Sequence, residues 1–283
     1  MKNITSSVKI VDLFPERSSL AYVDYIVQDG EKPEHIAHRV YGKSDYHWIV
    51  LHSNQIVDPF FDWPKSSVEL ENHIKIQYPG IAMFFDPIGI PAFKIGSSTS
   101  KLPPQKSHFV NGEMISQIQN SLTITGNILR WDPTLRKLEV TDTSSGAFLT
   151  TKDVYSTNPD GIDITTRPSK IVYDNAESLH HFVDDFGNIL DPYGKINYYE
   201  YDDRKVYSTS NVFVGNSDGL PTATGATSTN DFALNKYING GSQAGVITNR
   251  MYENDFNDKK RKIKILKVEY VEKLANQLAK AFQ

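Results

Sequence analysis

The sequence predicts an α+β protein, and three observations predict this class. Residues 21–54 match a strand followed by two helices, residues 122–149 alternate in short strand-like runs, and residues 262–282 change from period two to helical spacing. We expect four regions along the chain: an N-terminal arm (1–20), a helical module (21–80), a β-rich insertion with mobile loops (81–250), and a C-terminal strand with an amphipathic helix (251–283).

The helical module begins with a strand and continues with two helices. Residues 22–27 (YVDYIV) are β-branched or aromatic, which suits a strand. Pro33 suits the first position of a helix, where a missing N–H costs nothing, and Gly42 suits a helix end. Ser44 is a reasonable N-cap for a second helix that ends near Ser53.

Three further segments carry apolar residues that need a surface to cover them. The arm is apolar at Ile10, Leu13 and Phe14; residues 58–64 (DPFFDWP) form an aromatic loop between prolines, followed by a third helix that ends before Pro79. At the C-terminus, alternating Lys and Ile or Leu in residues 262–267 predicts a half-exposed strand. A helix follows, and its apolar face is made of Val271, Leu274, Leu278 and Phe282.

Charge and composition exclude several classes of function. The chain has 30 Lys and Arg against 34 Asp and Glu, a net charge of −4, whereas nucleic-acid-binding domains are usually basic. The absence of cysteine excludes disulfides, thiolate zinc sites and a cysteine nucleophile. No apolar run approaches the roughly 18 residues of a membrane span, and the first residues lack the apolar core of a signal peptide. We therefore expect a soluble protein, made inside the cell, with no nucleic-acid or membrane partner.

No sequence motif indicates catalysis or a cofactor. The nucleophile elbow, the phosphate-binding loop and the zinc-protease motif are absent from the sequence. Acidic pairs such as Asp184 and Asp185 are typical of solvated loops. His180 and His181 are adjacent on a predicted strand, so we expect them to point to opposite faces and not to share a metal ion. We predict that the protein is not an enzyme and holds no cofactor or metal.

A basic cluster, residues 259–262 (KKRK), precedes the C-terminal strand. Such charges commonly guard an exposed strand edge against aggregation. Contact with a DNA backbone and contact with an acidic protein partner are the alternatives.

The helical module resembles LysM, a small βααβ domain known for binding polymers of N-acetylglucosamine. The residues that carry the resemblance are Tyr25 to Val27, Gly30, Glu31, Ile36, Ala37, Tyr41, Gly42, Trp48, Ile49 and Asn54. Two departures stand out. Glu31-Lys32-Pro33 replaces the family's usual Asp-Thr-Leu, and the usual closing strand does not follow Asn54.

A narrower resemblance joins the two ends of the chain. Residues 29–34 (DGEKPE), 41–51 (YGKSDYHWIVL), 54–64 (NQIVDPFFDWP) and 261–270 (RKIKILKVEY) are similar to the LysM-containing baseplate wedge subunit of T-even-like contractile-tailed phages. The resemblance implies a structural virion protein of the tail baseplate, assembled in the host cytoplasm. It also implies that the protein joins neighbouring wedges around the central hub by protein–protein contacts.

The same resemblance suggests where the closing strand lies. We expect Ile263 to Ile265 to return from the far end of the chain and pair beside Tyr25 to Val27. Loop-closure entropy grows only logarithmically, so the long insertion between them is tolerated. Pairing of the first strand with residues 74–76 would contradict this expectation.

The resemblance implies other wedge subunits as partners, with the sheath-initiator and hub proteins as further candidates. We expect the partner contacts to lie on three segments: Ile10, Leu13 and Phe14; Phe60, Phe61 and Trp63; Leu274, Leu278 and Phe282. Two alternatives stay open, a peptidoglycan-binding LysM module and a cell-wall hydrolase. We do not expect glycan binding, because Pro33 alters the first glycan-facing turn and a further helix follows the second.

Overall fold

The chain folds into two units, each with its own helices and strands. The computed structural model describes residues 20–85, 109–141, 143–144, 146–157, 163–184, 186–190, 192, 198–201, 204–207, 212–215, 221–224, 233–240 and 245–281. Unit 1 contains the described residues up to His73 and from Glu253 onward, and unit 2 contains those of Ile74–Tyr252. Helices and sheets are both present, which confirms the predicted α+β class. None of the described helices is long and apolar enough to span a bilayer.

The described helices and strands are numbered in chain order. They are β1 (Tyr22–Ile26), α1 (Pro33–Tyr41), α2 (His47–Ser53), α3 (Pro59–Asp62), α4 (Ser67–Gln77), β2 (Ile81–Phe84), β3 (Met114–Gln119), β4 (Leu122–Asp132), β5 (Lys137–Thr141), β6 (Val154–Thr157), β7 (Asp163–Thr166), β8 (Lys170–Val172), β9 (Leu179–Val183), β10 (Ile189–Leu190), β11 (Tyr198–Tyr201), β12 (Arg204–Tyr207), β13 (Val212–Gly215), β14 (Pro221–Thr224), α5 (Ala233–Ile238), β15 (Val246–Thr248), α6 (Asn249–Lys260), β16 (Lys262–Leu266) and α7 (Val268–Ala281).

In unit 1, strand β1 pairs antiparallel with β16, which brings the two ends of the chain together. Tyr25 lies opposite Ile263, and Val23 lies opposite Ile265. The pairing expected from the sequence is therefore confirmed, and residues 74–76 lie within α4 instead. The two strands and the two helices that follow β1 form one small layered structure.

The interior of unit 1 lies between this sheet and helices α1 and α2. Its buried residues come from both ends of the chain: Val27, Ile36, Ala37, Val50, Ile263 and Ile265 form one cluster, and Ala21, Ile49, Leu266, Val271 and Leu274 form another. The Tyr41 hydroxyl donates to the carbonyl oxygen of Leu266 at 2.9 Å. Burial is the largest influence on Tyr41 and raises the pKa of its hydroxyl. The predicted second helix begins as a 3₁₀ turn at Ser44–Tyr46 before α2.

In unit 2, a seven-stranded antiparallel sheet has the strand order β7-β6-β3-β4-β5-β2-β8. Strand β2 is buried on both faces. Met83 and its neighbours at odd positions join one apolar cluster with Ile115, while Ala82 and Phe84 join a second cluster with Phe182. The sheet is therefore covered on both sides at β2, which explains the continuous apolar run of that strand.

Strand β5 buries two opposite charges side by side. Lys137 and Glu139 are each 2% exposed, and Lys137 Nζ lies 2.9 Å from Glu139 Oε1. The ammonium also donates to the carbonyl oxygen of Leu179 at 3.0 Å, and Arg130 Nη2 donates to Glu139 Oε1 at 2.8 Å. Burial alone would raise the pKa of Glu139, but the two cations outweigh it and the pKa is lowered.

Candidate protein-binding site

A single helical turn, α3, displays two aromatic rings on the surface of unit 1. Asp58 Oδ1 accepts a hydrogen bond from the Phe60 N–H at 2.9 Å, and Pro59 occupies the first helical position. Phe60 is 90% exposed and Phe61 is 71% exposed. Large exposed aromatic rings are typical of surfaces that bind other proteins.

Trp63, which follows this turn, faces inward. It is only 7% exposed and packs in the core with Val27 and Ile36. Its indole N–H donates to the carbonyl oxygen of Glu31 at 2.8 Å. The prediction that Trp63 contacts a partner is therefore wrong: its ring and its polar atom are both used inside unit 1.

The segment after the aromatic turn is held by a buried side-chain amide from α6. Asn257 is 4% exposed; its Oδ1 accepts from the backbone N–H of Lys65 at 2.8 Å, and its Nδ2 donates to the Lys65 carbonyl at 3.0 Å. Two residues later, the Ser67 N–H donates to Asp29 Oδ1 at 2.8 Å. Hydrogen bonds from Ser67, with Arg261 contributing, lower the pKa of Asp29. The segment that follows the aromatic turn is thus hydrogen-bonded both to Asp29, which precedes α1, and to Asn257 on α6.

A lysine and a third aromatic ring lie beside the turn. Lys260 Nζ donates to the Phe61 carbonyl oxygen and lies 4.5 Å from the ring centroid of Phe256, which is 48% exposed. Burial lowers the pKa of Lys260, and the nearby positive charge of Lys65 lowers it further. We name Phe60, Phe61 and Phe256 the aromatic patch. Sequence reasoning missed Phe256, Asn257 and Lys65; the nearby signals were the aromatic loop at 58–64 and the basic cluster at 259–262.

A groove of about 710 Å³ lies on unit 1 beside the aromatic turn. Its lining combines the β1–α1 turn with residues around α3, including Gly30, Pro33, Leu51, Phe60 and Trp63. Gly30 has a φ of +70°, a conformation that favours glycine at this turn. Phe60 is therefore shared by the groove and the aromatic patch.

The remaining predicted contact residues have different outcomes. Leu274 is 3% exposed and packs against Leu266 and Val271, so its predicted partner contact is wrong because its own chain covers it. Ile10, Leu13, Phe14 and Phe282, together with the side chain of Leu278, lie outside the described residues. Contacts through Phe60 and Phe61 stay a prediction.

The adjacent histidines on β9 do not separate as expected. His180 Nδ1 and His181 Nδ1 lie 2.7 Å apart, and the His180 ring stacks on Tyr252 with centroids 4.0 Å apart. The expectation of opposite faces was therefore wrong. No cluster of three or more His, Cys, Asp or Glu that could hold a metal occurs in the part of the chain that the structure describes.

Taken together, these features place two exposed aromatic rings, Phe60 and Phe61, beside Trp63 and Lys65, which are hydrogen-bonded within unit 1. Such an arrangement is typical of protein-binding surfaces. Residues 11–82, about a quarter of the chain, match the model of a family described as base plate wedge protein 53. This match supports a structural role in the phage tail baseplate and implies a non-enzymatic virion protein that interacts with other baseplate proteins. No curated protein and no solved structure matches the chain.

Proposed function

We propose that the protein is a wedge subunit of a T-even-like contractile tail and that it joins neighbouring wedges around the central hub. Its partners are the other wedge subunits, with the sheath-initiator and hub proteins as further candidates, and it assembles in the host cytoplasm. The family match at residues 11–82 and the resemblance of both chain ends to such a subunit support this proposal. A LysM-like arrangement is part of it, supported by the order β1, α1, α2 and the closing strand β16.

The observation that carries the proposal is the combination of exposure and fixation at α3. Phe60 and Phe61 project into solvent, whereas Trp63 and Lys65 beside them are held by hydrogen bonds to Glu31 and Asn257. An aromatic residue whose neighbouring backbone is already held in place loses less conformational entropy when a partner buries it. This surface therefore has the properties of a binding hot spot.

Two further segments complete the proposed contact area. One is the N-terminal arm with Ile10, Leu13 and Phe14, and the other is the C-terminal segment with Leu278 and Phe282. Their apolar character supports a role in burying area against neighbouring subunits.

The test is incorporation of a Phe60→Ser/Phe61→Ser variant into wedge complexes formed with the neighbouring tail proteins, measured by size-exclusion chromatography. We expect incorporation to fall about tenfold or more, because two hot-spot rings are removed. The free energy of unfolding should change by no more than about 0.5 kcal/mol, since both rings are exposed. Val68, which is 72% exposed on α4, provides the matched control as Val68→Ser. Undiminished incorporation of the double variant would refute the proposed contact surface.

The glycan-binding alternative has one feature in its favour, the groove beside the β1–α1 turn. Retention on purified cell-wall sacculi tests it. Specific retention that is lost on changing Glu34 to Ala and Lys32 to Ala, both in the groove lining, would favour the glycan over the baseplate contact.

A further inference from the structure

The aromatic patch draws its residues from two elements that are distant in the sequence. Phe60 and Phe61 come from α3, and Phe256 comes from α6. Lys260 connects them, because its ammonium group reaches the Phe61 carbonyl while lying over the Phe256 ring. A partner that covers both Phe61 and Phe256 therefore lies close to Lys260.

The patch contains positive charge without a matching carboxylate contact. Some other cations of unit 1 form ion pairs: Arg39 with Glu31, Lys259 with Asp255, and Arg261 with Asp29 and Asp258. Among the described residues, neither Lys65 nor Lys260 forms such a pair. The two ammonium groups instead lie close enough for Lys65 to lower the pKa of Lys260.

This arrangement is unfavourable in the isolated protein and becomes favourable with an acidic partner. Asp62 and Glu253 attract Lys260, but burial and Lys65 outweigh them. Burying the patch further would increase the desolvation cost for Lys260 unless the partner brought its own carboxylate. An apolar partner without acidic groups would therefore bind this surface at a penalty.

The same surroundings disfavour a nucleic acid. Asp58, Asp62 and Glu253 lie on or beside the patch, and the chain as a whole carries a net charge of −4. A phosphate backbone presents closely spaced negative charges and would meet these carboxylates. A short protein segment can place one or two carboxylates at the lysines and apolar side chains on the rings.

We infer that the aromatic patch, with Lys65 and Lys260, docks an acidic segment of a partner protein whose carboxylates alternate with apolar side chains. This inference rests on the proposed function, since it specifies the chemistry of the partner at the same surface. Charge complementarity selects among partners, while the three phenylalanines supply the buried apolar area.

The experiment uses the full chain and two fluorescein-labelled capped peptides, one alternating Asp with Phe and Leu and one with Lys in place of every Asp. A single-stranded oligonucleotide of thymidines is the third probe. We expect fluorescence anisotropy to show about tenfold tighter binding of the acidic peptide than of the basic one, and weaker binding at higher salt. Lys65→Gln/Lys260→Gln should weaken the acidic peptide about tenfold, as should Phe60→Ser/Phe61→Ser. Lys273→Gln, an exposed lysine on α7, is the control and should have no effect.

A second measurement gives the pKa of the Lys260 side chain directly. In NMR titrations of the ¹⁵N-labelled side chain, the pKa of Lys260 should rise when the acidic peptide is added, because a carboxylate stabilises the ammonium form. Equal affinity for both peptides, or an unchanged Lys260 pKa, would overturn the inference. Oligonucleotide binding that disappears in the lysine variant would also overturn it, in favour of a nucleic acid. If the acidic peptide does not bind but wedge incorporation still depends on Phe60 and Phe61, only the inferred acidic character of the partner is refuted. If incorporation does not depend on Phe60 and Phe61, the proposed function is refuted.

Discussion

The side-chain amide of Asn54 makes both possible hydrogen bonds to the backbone of Lys264, 210 residues further along the chain. Asn54 Oδ1 accepts from the Lys264 N–H at 2.8 Å, and Asn54 Nδ2 donates to the Lys264 carbonyl at 2.8 Å. The Val27 N–H donates to the Arg261 carbonyl, and the Lys267 N–H donates to the Ala21 carbonyl. Because hydrogen-bonded and non-hydrogen-bonded residue pairs alternate along an antiparallel strand pair, the N–H and C=O of Lys264 point away from β1. Asn54 thus pairs with the outer edge of β16 and fixes it to the end of α2.

Replacing Asn54 by Ala should therefore loosen the closure of unit 1. Two buried-edge hydrogen bonds and a third to the Val50 carbonyl disappear, so we expect a loss of about 1–3 kcal/mol in the free energy of unfolding. Urea denaturation measures it, with the exposed Asn72 on α4 changed to Ala as the control. Equal stability of the two variants would show that the Asn54 contacts contribute nothing.

Replacing Asn257 by Ala should release the segment that carries the aromatic turn. The Lys65 N–H loses its acceptor, so we expect its amide hydrogen exchange to accelerate relative to wild type. Mass spectrometry or NMR reports this rate. The exposed Asn254 on the same helix, changed to Ala, should leave it unaltered; acceleration in both variants would argue against a specific role for Asn257.

In unit 2, removing one member of the buried ion pair should cost more than removing both. Glu139→Leu leaves the buried Lys137 with only the Leu179 carbonyl, and we expect a loss of about 3–5 kcal/mol. Lys137→Met/Glu139→Leu should recover most of it, because no buried charge is then left without its counter-charge. A double-mutant cycle by chemical denaturation checks this, and additive losses would contradict it.

The lowered pKa of Glu139 also predicts a dependence of stability on pH. A carboxyl whose folded pKa lies below its ordinary value of 4.5 stabilises the fold above that value and loses this contribution as pH falls through the folded pKa. Wild type should therefore exceed Glu139→Gln in stability by a constant margin from about pH 7 to about pH 5, and the margin should shrink in more acid solution. Urea midpoints across this range measure the margin; a difference that grows on acidification would contradict the assigned direction.

Two glycines of unit 2 with similar backbone angles should respond differently to a methyl group. Gly80 has a φ of +74°, and a Cβ there would lie 2.1 Å from the Val140 carbonyl oxygen. Gly112 has a φ of +88° with no atom within 4 Å of the same position. Both Ala variants carry backbone strain, but only Gly80→Ala adds a clash with β5, so it should be the more destabilised by about 2 kcal/mol or more. Similar melting temperatures would show that β5 shifts freely.

The sequence was informative where a physical pattern is local. Alternation in residues 262–266 and the strand pattern of residues 22–27 predicted the two members of the β1–β16 pair. That these two strands pair was inferred from the resemblance to LysM, because the usual closing strand does not follow Asn54. By contrast, the Asn54–Lys264 contact joins groups 210 residues apart and leaves no periodic signal in the sequence.

The candidate site was predicted only in part, for a related reason. An aromatic run between prolines indicates that rings cluster, but it does not say which ring turns inward. The indole N–H of Trp63 reaches a carbonyl acceptor that Phe60 and Phe61 have no group to use. Similarly, helical spacing identified the apolar face of α7, but not that Ala21 and Leu266 of the same chain cover Leu274.

The closing of unit 1 by β16 has a consequence for synthesis. Because residues 262–266 follow unit 2 in the chain, β1, α1 and α2 cannot pair with their last strand until all of unit 2 has been synthesised. Unit 2 is complete in sequence before that moment. A polypeptide that stops before residue 262 therefore lacks the partner of β1, and the cluster of Val27, Ile36 and Val50 is left without Ile263 and Ile265.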